Sequence, residues 1–406
     1  MRTIGKLLSI SLLVAATACG GDDDGNSDDG ADGADDGSTD DGADDGVDAG
    51  GACEVAAWAA PDFEANAAVA LALRAQLDDL TGGEGLMRGA EQELEGSEVD
   101  DVADLTAVYE TGDPSVAGTT TAGFDAVIAD AFADFVALVA ASAQDVIDDE
   151  GNWTPGAAGG LAGSSPRGLN AGGLEIRQIA DKGLFGGAAL YAYAVSLTEG
   201  EIDEATIDSI AALWGGNAAL GTGKGELTDS ANYSFGMGFH ATMAGALAAA
   251  KSYAADDACS AERDEAIVTF FRAWEQSMVA RTIFYGNAAA DLIAAAAEGP
   301  DGDEDRIDAL HELSEGIGLT FGFLALPDPA SGPLSGAGRL LTDADIEEMM
   351  VALGVDTEDL SASTTGTFVG DAALLDTGVV AFEAAAIEVF DLSEADIEFY
   401  RTPTEG

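Results

Sequence analysis

Apolar residues recur at intervals of three and four along most of the chain, from about residue 53 to residue 395. This spacing places them on one side of a helix, and the alternation typical of strands is rare. The segment is also rich in Ala, Leu and Glu, which favour helices. The sequence therefore predicts an all-α domain with helices at 62–80, 122–148, 173–198, 203–214, 230–254, 261–297, 303–325, 343–353 and 370–391.

Several of these helices have recognisable ends. Asp62 and Asp203 are expected to cap their helices, and Thr342 followed by Asp345 forms a capping pattern. Aromatic residues at helical spacing are predicted to lie in the core rather than to form a carbohydrate platform. They are Phe270, Phe271, Trp274, Phe284 and Tyr285.

The length of the helical segment exceeds what one four-helix bundle needs. We therefore expect two packed helical lobes within one domain at 53–395, followed by a C-terminal tail at 396–406. The glycine-rich stretch 151–173 has little periodicity, so it is predicted to be a long loop. Such a loop either lines a site or crosses between halves of the bundle.

The start of the chain resembles a bacterial export signal. A short basic start and an apolar run too short to span a bilayer precede Ala16-Thr17-Ala18, and Cys19 follows. We expect 1–18 to be a lipoprotein signal peptide and Cys19 to receive the lipid; ordinary secretion with cleavage after Ala18 is the alternative. The expected location is the cell envelope, at the periplasmic face or outer surface of the outer membrane.

Residues 19–52 are expected to form an acidic, disordered tether. From Gly20 to Ala52 the sequence contains thirteen aspartates and no basic or aromatic residue, so it cannot bury a core. The whole chain has a formal net charge of −61. Such acidity repels nucleic acid and anionic lipid, which leaves the lipid anchor as the membrane contact and permits a cationic or metal ligand. The alternative is that the acidity only keeps an exported protein soluble.

Two cysteines remain besides Cys19. Exported proteins meet an oxidising compartment, so Cys53 and Cys259 are predicted to form a disulfide; otherwise both are free thiols.

Three segments carry candidate functional residues. Glu175, Gln178 and Lys182 are spaced to share one face of a helix. His311 and Glu315 are four residues apart and project together, and His240 lies in a glycine-rich segment. Lys182 is interpreted either as a surface group or as a partner of Glu175.

These segments resemble an uncharacterised family of imelysin-like bacterial lipoproteins. The resemblance rests on Gln178 with Lys182-Gly183, on Gly238 with His240, and on His311-x-Leu313-Ser314-Glu315-Gly316, and it covers roughly residues 55–390. It implies an imelysin-like helical bundle. Imelysins are tied to iron acquisition, and some have been described as metallopeptidases because of a Gly-x-His-x-x-Glu motif.

The chain departs from that motif, because Met243 stands where the carboxylate should be. A metal site assembled from His240, His311 and Glu315, holding a divalent or iron cation, is still a hypothesis. The alternative is that both histidines are structural and hydrogen-bonded in the bundle.

We expect a lipid-anchored, non-enzymatic binding protein for a cation or metal complex. A metal-dependent hydrolase of imelysin type and a structural or protein-interaction surface lipoprotein are the alternatives. No catalytic residue is predicted, since the sequence lacks the Gly-x-Ser-x-Gly and His-Glu-x-x-His patterns.

Overall fold

The fold is taken from a computed structural model of the chain. It describes residues 53–72, 74, 137–139, 141–142, 153–154, 159–163, 167–180, 182–183, 189–220, 238–296, 302–326 and 339–402. The predicted export signal, Cys19 and the acidic tether lie outside these residues. So do the end of the helix predicted at 62–80, from residue 75 onward, and most of the helix predicted at 122–148.

The described part is all-α, as the apolar spacing predicts, and 74% of it is helical. The helices are α1 (Phe63–Asn66), α2 (Ile176–Ala180), α3 (Ala189–Ser196), α4 (Glu204–Trp214), α5 (Phe239–Ala254), α6 (Ser260–Ala296), α7 (Gly302–Phe321), α8 (Asp343–Ala352), α9 (Ala372–Phe390) and α10 (Glu394–Arg401). Two short antiparallel strands, β1 (Gly160–Ala162) and β2 (Arg167–Leu169), interrupt the predicted glycine-rich loop.

Helix α6 is the centre of the bundle. It packs against α5, α7, α9 and α10, and Phe270, Phe271 and Trp274 on it are fully buried. These rings meet edge to face, with centroids 5.4 to 5.6 Å apart. Apolar side chains from α1 to α10 form one continuous cluster. The described helices therefore share one main core, and a smaller buried cluster lies around Trp153, Leu169 and Leu310.

Most predicted helix ends agree with the structure. The Asp203 carboxylate accepts a hydrogen bond from the backbone N–H of Thr206, and Thr342 with Asp345 forms a capping box at the start of α8. Asp62 lies at the predicted N-cap position, but its side chain makes no capping hydrogen bond.

The helix predicted at 173–198 starts later than expected. Glu175 pairs with Leu169 in an isolated bridge, and the described helices within this range are α2, from Ile176 to Ala180, and α3, from Ala189 to Ser196. Gly173 has a φ of +82°, and a Cβ there would lie 2.3 Å from the Gly366 Cα. The chain therefore turns at this point before α2 starts, because only glycine fits so close to a second backbone.

The predicted tail at 396–406 begins within a packed helix. Ile397 and Tyr400 of α10 are buried. The Arg401 guanidinium binds both carboxylate oxygens of Glu383 on α9, at 2.7 and 2.5 Å. The helical domain thus continues past 395, because a bidentate ion pair and two apolar side chains hold α10 to the bundle.

The N-terminal segment is fastened to α4 and α5. A Cys53–Cys259 disulfide is present, as the sequence predicts. The Ser252 hydroxyl donates to the Glu54 carbonyl and accepts from the Ala56 N–H. We call the residues that make this attachment the N-terminal clamp: Cys53, Trp58, Asn66, Asp208, Lys251, Ser252 and Cys259.

Candidate functional site

The candidate site lies where α2 meets α7, and two glycines set how closely they approach. A Cβ at Gly318 would lie 2.9 Å from the Gln178 carbonyl oxygen, and one at Gly322 would lie 2.2 Å from the Gly183 carbonyl oxygen. No other residue leaves room for backbones this close. The polar face predicted on α2 is therefore pressed against the side of α7 that carries His311 and Glu315.

Glu175 forms the buried floor of the site. Its backbone N–H donates to the Ser314 hydroxyl at 2.9 Å, and that hydroxyl donates to the Leu310 carbonyl at 2.7 Å. Only 1% of the Glu175 side chain is exposed. The Ser314 hydroxyl thus acts both as acceptor and as donor, and its bond with the Glu175 N–H joins Glu175 to α7.

The His311 imidazole lies between two carboxylates. Its Nδ1 is 2.8 Å from the Glu175 Oε2, and its Nε2 is 3.7 Å from the Glu315 Oε1. An ionised carboxylate only accepts hydrogen bonds, so Glu175 favours the tautomer with the proton on Nδ1. Arg167 also approaches Nδ1, with its Nη1 at 2.5 Å. A guanidinium only donates hydrogen bonds, so this contact favours an unprotonated Nδ1, and Glu175 and Arg167 compete for that nitrogen. The Nε2 nitrogen is left directed toward Glu315.

Gln178 links Glu315 to Arg177 when its side-chain amide is placed in one of its two possible orientations. Its nitrogen then donates to the Glu315 Oε1 at 3.2 Å, and its oxygen accepts from the Arg177 Nη2 at 2.8 Å. This orientation satisfies both ends of the amide, so we adopt it. Glu315, Gln178 and Arg177 then form a continuous polar chain across α2 and α7.

Three basic groups surround these residues. The Arg167 guanidinium binds Asp308 at 3.0 Å and lies 3.5 Å from Glu175. The Arg177 Nε is 3.8 Å from the Glu175 Oε1, and the Lys182 Nζ is 3.8 Å from the Glu315 Oε1. We call the whole group the His311 cluster: Arg167, Glu175, Arg177, Gln178, Lys182, Asp308, His311 and Glu315.

The His311 cluster opens from a buried floor to a partly exposed mouth. Exposure rises from 1% at Glu175 to 17% at His311 and 41% at Asp308. Burial raises the pKa of neighbouring Glu312, and the negative charge of Glu315 adds to the effect. The carboxylates of α7 are therefore close enough to influence each other.

The sequence predicted the central members of this cluster and missed its rim. Glu175, Gln178, Lys182, His311 and Glu315 were all predicted, but as two separate groups, and their helical spacing did not predict that the groups meet. Lys182 lies 3.8 Å from Glu315, whereas Glu175 had been considered as its partner.

Arg167, Arg177 and Asp308 were not predicted as members of the site. Arg167 and Asp308 are 141 positions apart in sequence. The prediction that the glycine-rich loop lines a site was the only signal for Arg167.

His240 is not part of the cluster. Its Nε2 lies 3.0 Å from the Leu220 carbonyl oxygen, and its ring packs 5.3 Å from the ring of Trp214. In the described part of the chain, no three His, Cys, Asp or Glu side chains are placed to hold a metal ion together. The site hypothesised from His240, His311 and Glu315 is therefore not assembled, because the two histidines belong to different contacts.

Comparison with protein-family models, with curated proteins and with solved structures gives no match. Among the described residues, no helix has the length and apolar character needed to cross a membrane.

Proposed function

We propose that this chain is a lipid-anchored, non-enzymatic binding protein of the bacterial cell envelope, whose ligand site is the His311 cluster. The ligand is a cation or a metal complex. The export signal, Cys19 and the resemblance to imelysin-like lipoproteins support the envelope location and the class of ligand. The location of the ligand site is inferred from the geometry around His311.

The observation that carries the proposal is the orientation of the His311 ring. Glu175 holds Nδ1 at 2.8 Å, as carboxylates commonly do behind a metal-binding histidine. The opposite nitrogen and the Glu315 Oε1 face each other at 3.7 Å. Imidazole and carboxylate together suit iron, zinc or copper.

The cluster supplies two ligand groups on its accessible side, which suits binding better than hydrolysis. A catalytic metal is usually held by three protein ligands with one position left open. Ser314, the hydroxyl nearest to Glu175, is fully buried and already bonded on both sides. A metal ion that keeps part of its own ligand shell fits two protein ligands.

The two histidines of the chain provide a matched test of the site. Full-length protein, His311→Ala and His240→Ala are incubated with iron, zinc or copper, each as the free ion and as its citrate complex. Metal retained after gel filtration is then measured. We expect near-stoichiometric retention by the wild type and by His240→Ala, and at least a tenfold loss in His311→Ala. Equal retention by the two variants, or none by the wild type, contradicts the proposal.

The anchor has its own test. Mass spectrometry of the mature amino terminus should find diacylglycerol on Cys19, and Cys19→Ser protein should leave the membrane fraction. A Cys19→Ser protein that stays membrane-bound without acylation contradicts the lipid anchor.

A further inference from the structure

Three groups meet at the Nδ1 nitrogen of His311, and two of them make opposite demands on it. The Arg167 Nη1 lies 2.5 Å away and the Glu175 Oε2 lies 2.8 Å away. The Gln178 amide is farther off, at 3.4 Å. A nitrogen of a neutral imidazole carries either a proton or a lone pair. Nδ1 can therefore bond to the guanidinium donor or to the carboxylate acceptor, but not to both.

The surroundings of the other ring nitrogen agree with Arg167. A lone pair on Nδ1 places the imidazole proton on Nε2, which lies 3.7 Å from the Glu315 Oε1. A proton on Nε2 faces a negative charge, whereas a lone pair there would face the carboxylate with no proton between them. Arg167 and Glu315 thus favour the tautomer with the proton on Nε2, and Glu175 favours the other.

Asp308 holds Arg167 in this position. Its Oδ1 binds the Arg167 Nη2 at 3.0 Å, while Nη1 of the same guanidinium points to His311. Asp308 and His311 are three residues apart on α7, so their side chains are neighbours on one helix face. One planar guanidinium with two separate donors can therefore span both side chains.

Metal binding requires the tautomer that Arg167 opposes. A metal ion binds the lone pair of an imidazole nitrogen, and in the proposed site that nitrogen is Nε2, which faces Glu315. A proton on Nε2 occupies the same position. The ring must then carry its proton on Nδ1, where the Glu175 carboxylate accepts it.

We infer that Arg167 is a positioning residue that keeps the His311 proton on Nε2 and thereby lowers the affinity of the site for metal ions. When a metal ion binds, Nε2 releases its proton to solvent and Nδ1 takes one up, so the imidazole stays neutral. Arg167 keeps its bond to Asp308 and turns Nη1 toward the Glu175 Oε2, which is 3.5 Å away. The inference rests on the proposed function and names a residue that limits it.

NMR of the imidazole nitrogens reads the tautomer directly, in isotopically labelled full-length protein and weakly alkaline buffer. We expect the His311 proton on Nε2 in the wild type and on Nδ1 in Arg167→Met. His240 is an internal reference, because its Nε2 lies 3.0 Å from the Leu220 carbonyl oxygen, which only accepts hydrogen bonds. Its proton should stay on Nε2 in both proteins, and His240→Ala assigns the signals. A His311 proton on Nδ1 in the wild type overturns the inference.

Zinc affinity, measured by calorimetry on the same proteins, is the second readout. Arg167→Met should bind zinc at least tenfold more tightly than the wild type does. Glu175→Gln has nearly the same shape, but its amide can donate to Nδ1. It should therefore keep the His311 proton on Nε2 and bind zinc at least tenfold more weakly.

Two controls address net charge and folding. Arg272→Met removes the same charge as Arg167→Met from an exposed position on α6, and it should change neither the tautomer nor the zinc affinity. Circular dichroism checks the fold of each variant. The Arg167 and Asp308 side chains are 20% and 41% exposed, so Arg167→Met leaves the Asp308 carboxylate in contact with solvent.

The outcomes separate the inference from the proposed function. If the tautomer changes in Arg167→Met but zinc affinity does not, the inference is overturned and the proposed function stands. If zinc affinity rises while the proton stays on Nε2, Arg167 acts through its charge alone, and the inference is again overturned. If His311→Ala binds zinc, iron and copper as the wild type does, the proposed function fails as well.

Discussion

The N-terminal clamp and the His311 cluster both place charged groups between helices, but the distances within their ion pairs and the exposure of those groups to solvent differ. In the clamp, the Lys251 ammonium lies 2.5 Å from the Asp208 Oδ1, and the Asn66 amide donates to the other carboxylate oxygen at 2.8 Å. Both members of this ion pair are buried. In the His311 cluster, Arg167 binds Asp308 at 3.0 Å, the pairs that Glu175 and Glu315 make with basic groups are 3.5 to 3.8 Å long, and the mouth is partly exposed. The first arrangement holds helices together, and the second is more accessible to solvent.

The surroundings of the two lysines sharpen this difference. Lys251 also lies over the ring of Trp58, 4.6 Å from its centroid, so its ammonium is enclosed by protein on several sides. The Lys182 side chain is 15% exposed. A lysine enclosed by protein stabilises the fold only while its carboxylate partner is present.

The largest effect is expected from breaking the clamp ion pair. Asp208→Asn leaves the Lys251 ammonium buried without its counter-charge, so the free energy of unfolding should fall by about 3–5 kcal/mol. Urea denaturation measures this loss. Glu398→Gln, which removes an exposed partner of Arg401, is the control and should cost less than about 1 kcal/mol. Equal losses would show that the clamp ion pair contributes no more to the free energy of unfolding than a surface ion pair does.

The disulfide of the clamp should give the next largest effect. It joins residues 206 positions apart, so its loss frees a long segment of the unfolded chain. The Cys53→Ser/Cys259→Ser variant is expected to lose about 2–5 kcal/mol of stability. Thermal unfolding measures the loss, and the binding of ferric citrate serves as the second readout. Ligand binding should be unchanged, and a parallel loss of binding would contradict the separation of the two regions.

Glu275 provides a buried carboxylate that lies in neither region. Burial raises its pKa from 4.5 to about 7, although hydrogen bonds from the backbone N–H groups of Leu340 and Leu341, the charge of Arg339 and the Tyr191 hydroxyl oppose this. The folded state therefore binds the proton more tightly than the unfolded state does. Stability should fall as pH rises from about 4.5 to 7, by up to about 3 kcal/mol from this group.

The Glu275→Gln variant isolates that pH dependence. Its free energy of unfolding, measured in urea at several pH values between 4.5 and 7.5, should decline less with pH than that of the wild type. The many surface carboxylates contribute equally to both proteins. Parallel curves would show that Glu275 titrates as an exposed carboxylate does.

The smallest effect on stability is expected inside the His311 cluster. Glu315 lies 3.7 Å from the His311 Nε2 and 3.8 Å from the Lys182 Nζ, so Glu315→Gln should change the free energy of unfolding by less than about 1 kcal/mol. The same variant should weaken ferric citrate binding clearly, as measured by calorimetry. A large loss of stability would mean that Glu315 belongs with the clamp residues.

Much of the helical framework could be predicted from local sequence. The predicted range 203–214 corresponds to α4, and 261–297 corresponds to α6, within a residue at each end. The capping residues Asp203 and Thr342 mark their helix starts for a local reason, since each bonds a backbone N–H three residues ahead. The helix predicted from residue 173 starts only at Ile176, because the turn at Gly173 is set by contact with distant backbone, that of Gly366.

The sequence by itself determined the helical class, the pairing of Cys53 with Cys259 and the closeness of His311 to Glu315 on one helix. These features depend on spacing along the chain and on residue chemistry. Only the tertiary structure decided that His311 meets Glu175, that Arg167 joins them and that His240 stays apart. Glu175 and His311 are separated by 136 positions, and what brings them together is the close packing that glycines allow between α2 and α7. Side-chain contacts of this kind follow from the packing of whole helices, which no local pattern specifies.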